Sequence, residues 1–141
     1  MKFLKEKLAY LQHVYRESIG QDFQAKIIPI GYGDERTFSV HYLAKGVRFL
    51  VGFRTNEFGY SNFIHIIDVF ILDPRDRGQG WGSKLFSSFL QVAEQSNYDK
   101  ILLSPKDELA EKFWAKWGFI RKKQKNLPME LELRSRKKLY M

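Results

Sequence analysis

The chain contains no cysteine among its 141 residues, which removes a disulfide framework, a thiolate nucleophile and any cysteine metal site at once. Its three histidines, His13, His41 and His65, stand far apart in sequence, and no two share metal-ligand spacing. Prolines number only four and no low-complexity stretch interrupts the chain, so no linker divides it and residues 1–141 are expected to form one domain. Long apolar runs are missing too. Charges break every one well short of the roughly 20 residues a spanning helix needs, so no membrane segment is expected. The opening MKFLKEKLAYLQHVYRESIG carries Lys5, Glu6, Lys7, Arg16 and Glu17 between its apolar residues, which excludes a signal-peptide core. A soluble, cytoplasmic protein is the simplest expectation. Acidic residues are also in deficit, 16 against 24 Lys and Arg, for a net charge of +8.

What is present is apolar and aromatic: 44% hydrophobic and 16% aromatic residues suffice for one good core. Leu4, Leu8, Leu11 and Tyr15 recur at helical spacing, so the first 20 residues read as a surface amphipathic helix. Strand-like segments follow at 23–30, 36–44, 47–54 and 63–72, with a glycine turn at 31–35, a tight Lys45-Gly46 turn and a loop at 55–62. Then come a helix at 80–96, a strand at 100–104, a helix at 106–117, and a terminal strand pair at 119–123 and 129–134. Strands in succession, then helices alternating with strands, predict an α/β fold with a mixed sheet.

The most telling stretch is DVFILDPRDRGQGWGS, Asp68 to Ser83: an apolar strand bearing one carboxylate, a charged turn, then Gly78, Gly80 and Gly82 opening a helix. Such a helix start builds an anion cradle. Glycines let the backbone come close, while unpaired amides and the helix dipole present about half a positive charge. Three familiar cradles do not fit. A dinucleotide fingerprint wants G-x-G-x-x-G directly after the strand and an acid some 20 residues on at the end of the next strand. A P-loop wants Gly-Lys-Ser, whereas Gly82-Ser83-Lys84 reverses the last two. A kinase glycine loop leads into a strand, whereas Trp81, Leu85, Phe86, Phe89, Leu90 and Ala93 mark a helix.

Arg77-Gly78-Gln79-Gly80-Trp81-Gly82 resembles the R/Q-x-x-G-x-G/A motif of the GNAT superfamily, the acyl-CoA-dependent N-acyltransferases. KILLSP from Lys100 resembles that family's fifth strand, and AEKFWAKWGF from Ala110 its A-x-x-F-Y-x-K-x-G-F helix ending. The resemblance implies a single-domain GNAT-like α/β fold, a mixed central β-sheet flanked by helices, with acetyl-CoA as co-substrate and no metal. It implies that Arg77, Gly78, Gln79, Gly80, Trp81, Gly82 and Ser83 hold the cofactor. By position, the backbone amides of Phe70 and Leu72 would bond the pantetheine arm, one polarising the thioester carbonyl, since a fixed N–H aimed at an oxyanion needs no reorganisation. The pattern is broken in two places: Phe113-Trp114 replaces the usual Phe-Tyr, and Asp107 stands where asparagine is common. An indole cannot protonate a leaving thiolate, but a thiol of pKa about 8.5 leaves tolerably unaided.

Strand alternation puts Ile64, Ile66 and Asp68 on one face and His65, Ile67 and Val69 on the other unless a bulge intervenes, and the resemblance implies that one is common in this strand; both faces are mainly apolar, so the strand should be central and covered on both sides. A carboxylate there is costly unless bonded or functional. Bonded, Asp68 is structural; functional, it is a general base whose raised pKa suits it to take the amine's proton. Trp114 and Trp117 read as core aromatics.

The basic clusters Arg121, Lys122, Lys123, Lys125 and Arg134, Arg136, Lys137, Lys138 suit a solvated surface or the phosphates of CoA. No helix-turn-helix, zinc-ligand or RNP-like pattern accompanies them, so no specific nucleic-acid recognition is expected. The chain is therefore read as an acetyl-CoA-dependent N-acetyltransferase, monomer or homodimer, that acts on a primary amine of a small molecule or protein. A catalytically silent acyl-CoA binder, or a basic nucleic-acid-associated module on the same fold, is the alternative.

Overall fold

The computed structural model describes residues 2–30, 35–57, 60–71, 80–122 and 127–133. Among these residues three helices, α1 (Lys2–Ile19), α2 (Trp81–Glu94) and α3 (Glu108–Lys116), accompany seven strands. The strands are β1 (Gln24–Pro29), β2 (Phe38–Ala44), β3 (Val47–Glu57), β4 (Tyr60–Ile71), β5 (Lys100–Leu103), β6 (Ile120–Arg121) and β7 (Met129–Glu132). They form one mixed sheet in the order β1-β2-β3-β4-β5-β7-β6. Among the described strands only β4 and β5 pair in parallel, which the intervening α2 crossover requires; the other pairings are antiparallel.

Helix periodicity places the core. Leu8, Leu11, Tyr15 and Ile19 of α1 and Leu85, Phe86, Phe89 and Leu90 of α2 are buried in one cluster. The same cluster takes alternate strand residues, such as Val40 and Tyr42 of β2, Phe49, Val51 and Phe53 of β3, and Ile64 and Ile66 of β4. All three helices thus pack on one face of the sheet. Two buried tyrosines pin the layers, each donating its hydroxyl to a helix carbonyl: Tyr15 to Leu85 at 2.7 Å and Tyr42 to Leu8 at 2.6 Å. Burial drives both phenols well above their ordinary pKa, Tyr15 being raised further by Tyr42, so each stays a neutral donor.

Three sequence expectations need correction. Residues 55–62 are not a loop: β3 runs to Glu57 and β4 starts at Tyr60, with Thr55 opposite Asn62 and Glu57 opposite Tyr60. A polar stretch keeps its ladder when an antiparallel neighbour satisfies its backbone. Strict alternation along β4 also fails. Leu50 faces Asp68 while Val51 faces Ile66, leaving Ile67 as the extra residue of a β-bulge. The bulge brings His65 and Asp68, which alternation would separate, onto the same face. Nor is β4 covered by helices on both sides: Ile67 is 44% exposed, and on its face no helix packs among the described residues. The segments at 80–96, 106–117, 119–123 and 129–134 are all present but somewhat shorter than expected.

Candidate active site

The site begins where β4 and β5 part. Their parallel pairing covers only Phe63–Lys100, Ile64–Ile101 and His65–Leu102, and the bulge at Ile67 follows at once. Beyond it the strands diverge around a gap of about 70 Å³, walled by Ile66 to Val69 on one side and Leu103 to Lys106 on the other, with Ala110 and Trp114 at its floor. On the helical side lies a wider cleft of about 380 Å³ between the starts of α2 and α3, lined by Gly80, Gly82, Ser83, Leu109 and Phe113. Val69, Ala110 and Trp114 line both, so cleft and gap adjoin.

The two helix starts differ in charge. Asp107 caps α3, accepting from the Ala110 amide at 2.8 Å, and Glu108 and Glu111 lie in its first turn, so carboxylates of the chain itself answer that dipole. Helix α2 has no acidic first-turn residue and no side-chain cap; its N-cap is Gly80 at φ 75, ψ 20, a left-handed conformation open to glycine at little cost. The α2 start is the one left to receive an anion. A Cβ on Gly82 would lie 3.5 Å from the Phe113 ring, inside the cleft. Small residues along α2, an apolar far wall and an unanswered helix start suit an elongated thioester ending in phosphates, so these residues fit acetyl-CoA.

Asp68 stands at the mouth of the gap with 17% of its side chain exposed. Its Oδ1 accepts from Lys106 Nζ at 2.9 Å; its Oδ2 accepts from Arg48 Nε at 3.2 Å and lies 3.1 Å from Arg48 Nη2. Burial acts to raise the carboxyl's pKa, but hydrogen bonds and charge from Lys106 and Arg48 outweigh it and hold the group below its ordinary range. The sequence expectation of a raised value is thereby corrected: desolvation was legible, the two cations were not. Arg48 lies 20 residues upstream in an unremarkable strand. Lys106 gave a weak signal at most, following Ser104-Pro105 at the end of a strand.

His65 is half-buried, and burial followed by the charge of Arg54 lowers its pKa. Trp114 is 7% exposed, its ring edge-on to Phe86, Phe113 and Phe119, as a core residue would be. Of the expected cofactor residues, Gly80, Gly82 and Ser83 line the cleft and Trp81 is buried behind them. Phe70 is described in its backbone alone; Leu72, Arg77, Gly78 and Gln79, with Lys123, Lys125 and the tail from Arg134, lie outside the described residues. Among the described residues no group of three or more His, Asp or Glu could hold a metal, and no helix is long and apolar enough to cross a membrane.

No protein of curated function matches the chain. Solved structures do match in fold. The chain covers 84% of itself and 98% of AtaTR bound with AcCoA, at 13% identity and a TM-score of 0.57. For the KacTA–DNA complex the figures are 84%, 98%, 13% and 0.59. For AtaT complexed with acetyl-methionyl-tRNAfMet they are 85%, 100%, 14% and 0.57. The model of the Acetyltransferase (GNAT) family matches residues 7–119, most of the chain, including both helix starts, the bulged strand and the gap. The chain is a member of the GNAT acetyltransferase family.

Proposed function

We propose that the protein moves the acetyl group of acetyl-CoA to a primary amine by direct attack. The observation that carries the reading is the adjoining of cleft and gap at Val69, Ala110 and Trp114. A thioester lying along the cleft would bring its carbonyl to the gap, with Asp68 on the far side. The binding of AcCoA by the structurally similar AtaTR supports the cofactor. In this reading the α2 start receives phosphates, together with Arg77, Gly78 and Gln79, and the backbone amides of Phe70 and Leu72 bond pantetheine and the carbonyl oxygen.

The amine nitrogen attacks the carbonyl carbon, the C–S bond breaks and the thiolate of CoA departs with the electron pair. The proton lost from nitrogen passes to solvent through water in the gap, whose volume exceeds what one water needs. Asp68, already ionised, orders that water and attracts the ammonium form of the acceptor, which gives up one proton through the same water before its lone pair attacks; the low pKa of Asp68 makes it a weak final proton acceptor. Trp114 supplies no acid to the departing thiolate. Holding amine and thioester together contributes most of the rate.

An acceptor screen reading free thiol from acetyl-CoA tests this. Amine-dependent thiol release is the expected result. Tight acetyl-CoA binding by calorimetry with no release across primary amines would leave a silent acyl-CoA binder.

A further inference from the structure

A primary amine of the chain itself stands at the gap. Among the described residues lining cleft and gap, Lys106 is the only lysine, and its Nζ lies 2.9 Å from Asp68 Oδ1. The chain's own ammonium group thus occupies the place to which Asp68 would draw that of an acceptor. The backbone of Lys106 is pinned on both sides: Pro105 has a fixed φ, and Asp107 is held as the cap of α3 by the Ala110 amide at 2.8 Å. Its side chain is nonetheless 64% exposed, so a long aliphatic stem can carry the head from the carboxylate into the gap. Lys100 and Lys122 are placed differently. Both pair with Glu130, and neither lines cleft or gap.

We infer that Lys106 is a site of self-acetylation, each chain transferring an acetyl group from its bound acetyl-CoA to its own Nζ. The inference rests on the acetyl-transfer reading above. The Lys106 ammonium gives up one proton to water in the gap, the neutral Nζ attacks the thioester carbonyl carbon, and the C–S bond breaks. The thiolate of CoA leaves with the electron pair, the nitrogen loses a second proton to water, and an amide remains. Acetyl-CoA is the only other reactant. An amide does not pass its acyl group on to an amine, so acetyl-Lys106 is an end product and not an intermediate on the way to the acceptor. It takes the cation from Asp68 Oδ1 and leaves an acetyl group at the rim of the gap, where an acceptor would dock.

The test is incubation of the whole chain with acetyl-CoA and no added amine, followed over time by intact mass and peptide mapping. Lys106 should gain one acetyl group at least roughly tenfold faster than Lys112 and Lys116, exposed lysines of α3 that meet acetyl-CoA only from solution. Transfer within one chain makes the half-time independent of protein concentration. Excess free CoA, competing for the cleft, should slow the gain at Lys106 and leave Lys112 and Lys116 unaltered. Lys106 acetylated no faster than those two, or a half-time that shortens as the chain is concentrated, would overturn the inference. Thiol release with an added small amine while Lys106 stays unmodified overturns it and spares the acetyl-transfer reading. No thiol release from any amine, together with an unmodified Lys106, sinks that reading as well.

Discussion

Asp68 and Lys106 meet across the opening between β4 and β5, carboxylate Oδ1 to ammonium Nζ at 2.9 Å, where the two strands no longer share backbone hydrogen bonds. The contact closes one rim of the gap with charge. Arg48, on the same carboxylate, ties it to β3.

A carboxylate held this way is an anion at any pH where an amine acetyltransferase works, so Asp68 should contribute no acidic limb to the rate within the ordinary carboxylate range. Asp68→Asn keeps the shape and removes the charge. It is expected to lower kcat by about 10², because the charge that orders the gap water and draws the acceptor in is lost, while acetyl-CoA affinity stays within a factor of two or so. Steady-state kinetics with calorimetry on the same variant decide it. Full kcat in a folded Asp68→Asn would leave the residue a purely structural anchor.

The glycines at the start of α2 should separate fold from binding. Gly80 is left-handed, so Gly80→Ala should cost about 1 kcal/mol of stability. Gly82 has no such conformational demand, and an added Cβ meets only the Phe113 ring at 3.5 Å. Gly82→Val should therefore fold with a near-native melting temperature and lose acetyl-CoA binding, its branches standing in the cleft against the α2 amides. Unchanged affinity in that variant would mean the cofactor lies elsewhere.

Trp114 is where cofactor wall and core coincide. Its ring sits among Phe86, Phe113 and Phe119, and it borders both cavities. Trp114→Ala should destabilise by about 3–5 kcal/mol, the usual cost of emptying an aromatic core position. Trp114→Phe, retaining most of the volume, should cost less and keep acetyl-CoA binding. Chemical denaturation of both variants measures the difference, and a loss under about 1 kcal/mol for the alanine form would show that the indole is not core.

The chain's periodicities made most elements legible: Leu8, Leu11 and Tyr15 for α1, Trp81 to Ala93 for α2, and the glycine run at its start. What escaped was set by long-range pairing. The bulge at Ile67, which only the family resemblance pointed to, depends on how β4 registers against β3, and nothing in HIIDV itself marks the extra residue. That one insertion moves Asp68 onto the face of His65 and Arg48, so the carboxylate's partners were hidden along with its face. That no described helix covers the second face of the sheet was hidden for the opposite reason. A β4 run apolar on both faces suggests double cover, yet Phe63 and Leu102 are buried there without a described helix above them.

Two depressed pKa values give the fold a pH signature with separable windows. Burial and Arg54 hold the folded His65 below the ordinary histidine value near 6.5. Between that lower value and about 6.5 the unfolded chain binds the extra proton, so stability should fall as pH drops through this window and then level off. Asp68 is depressed in the same direction through its cation partners. Its contribution is complete above the ordinary carboxylate range and is lost as pH falls through its lower folded value. Urea midpoints across pH should show a first decline below about 6.5 that His65→Gln flattens, and a second, more acidic decline that Asp68→Asn flattens. A first decline of equal size in His65→Gln would assign it to another group and leave His65 free to titrate as in water.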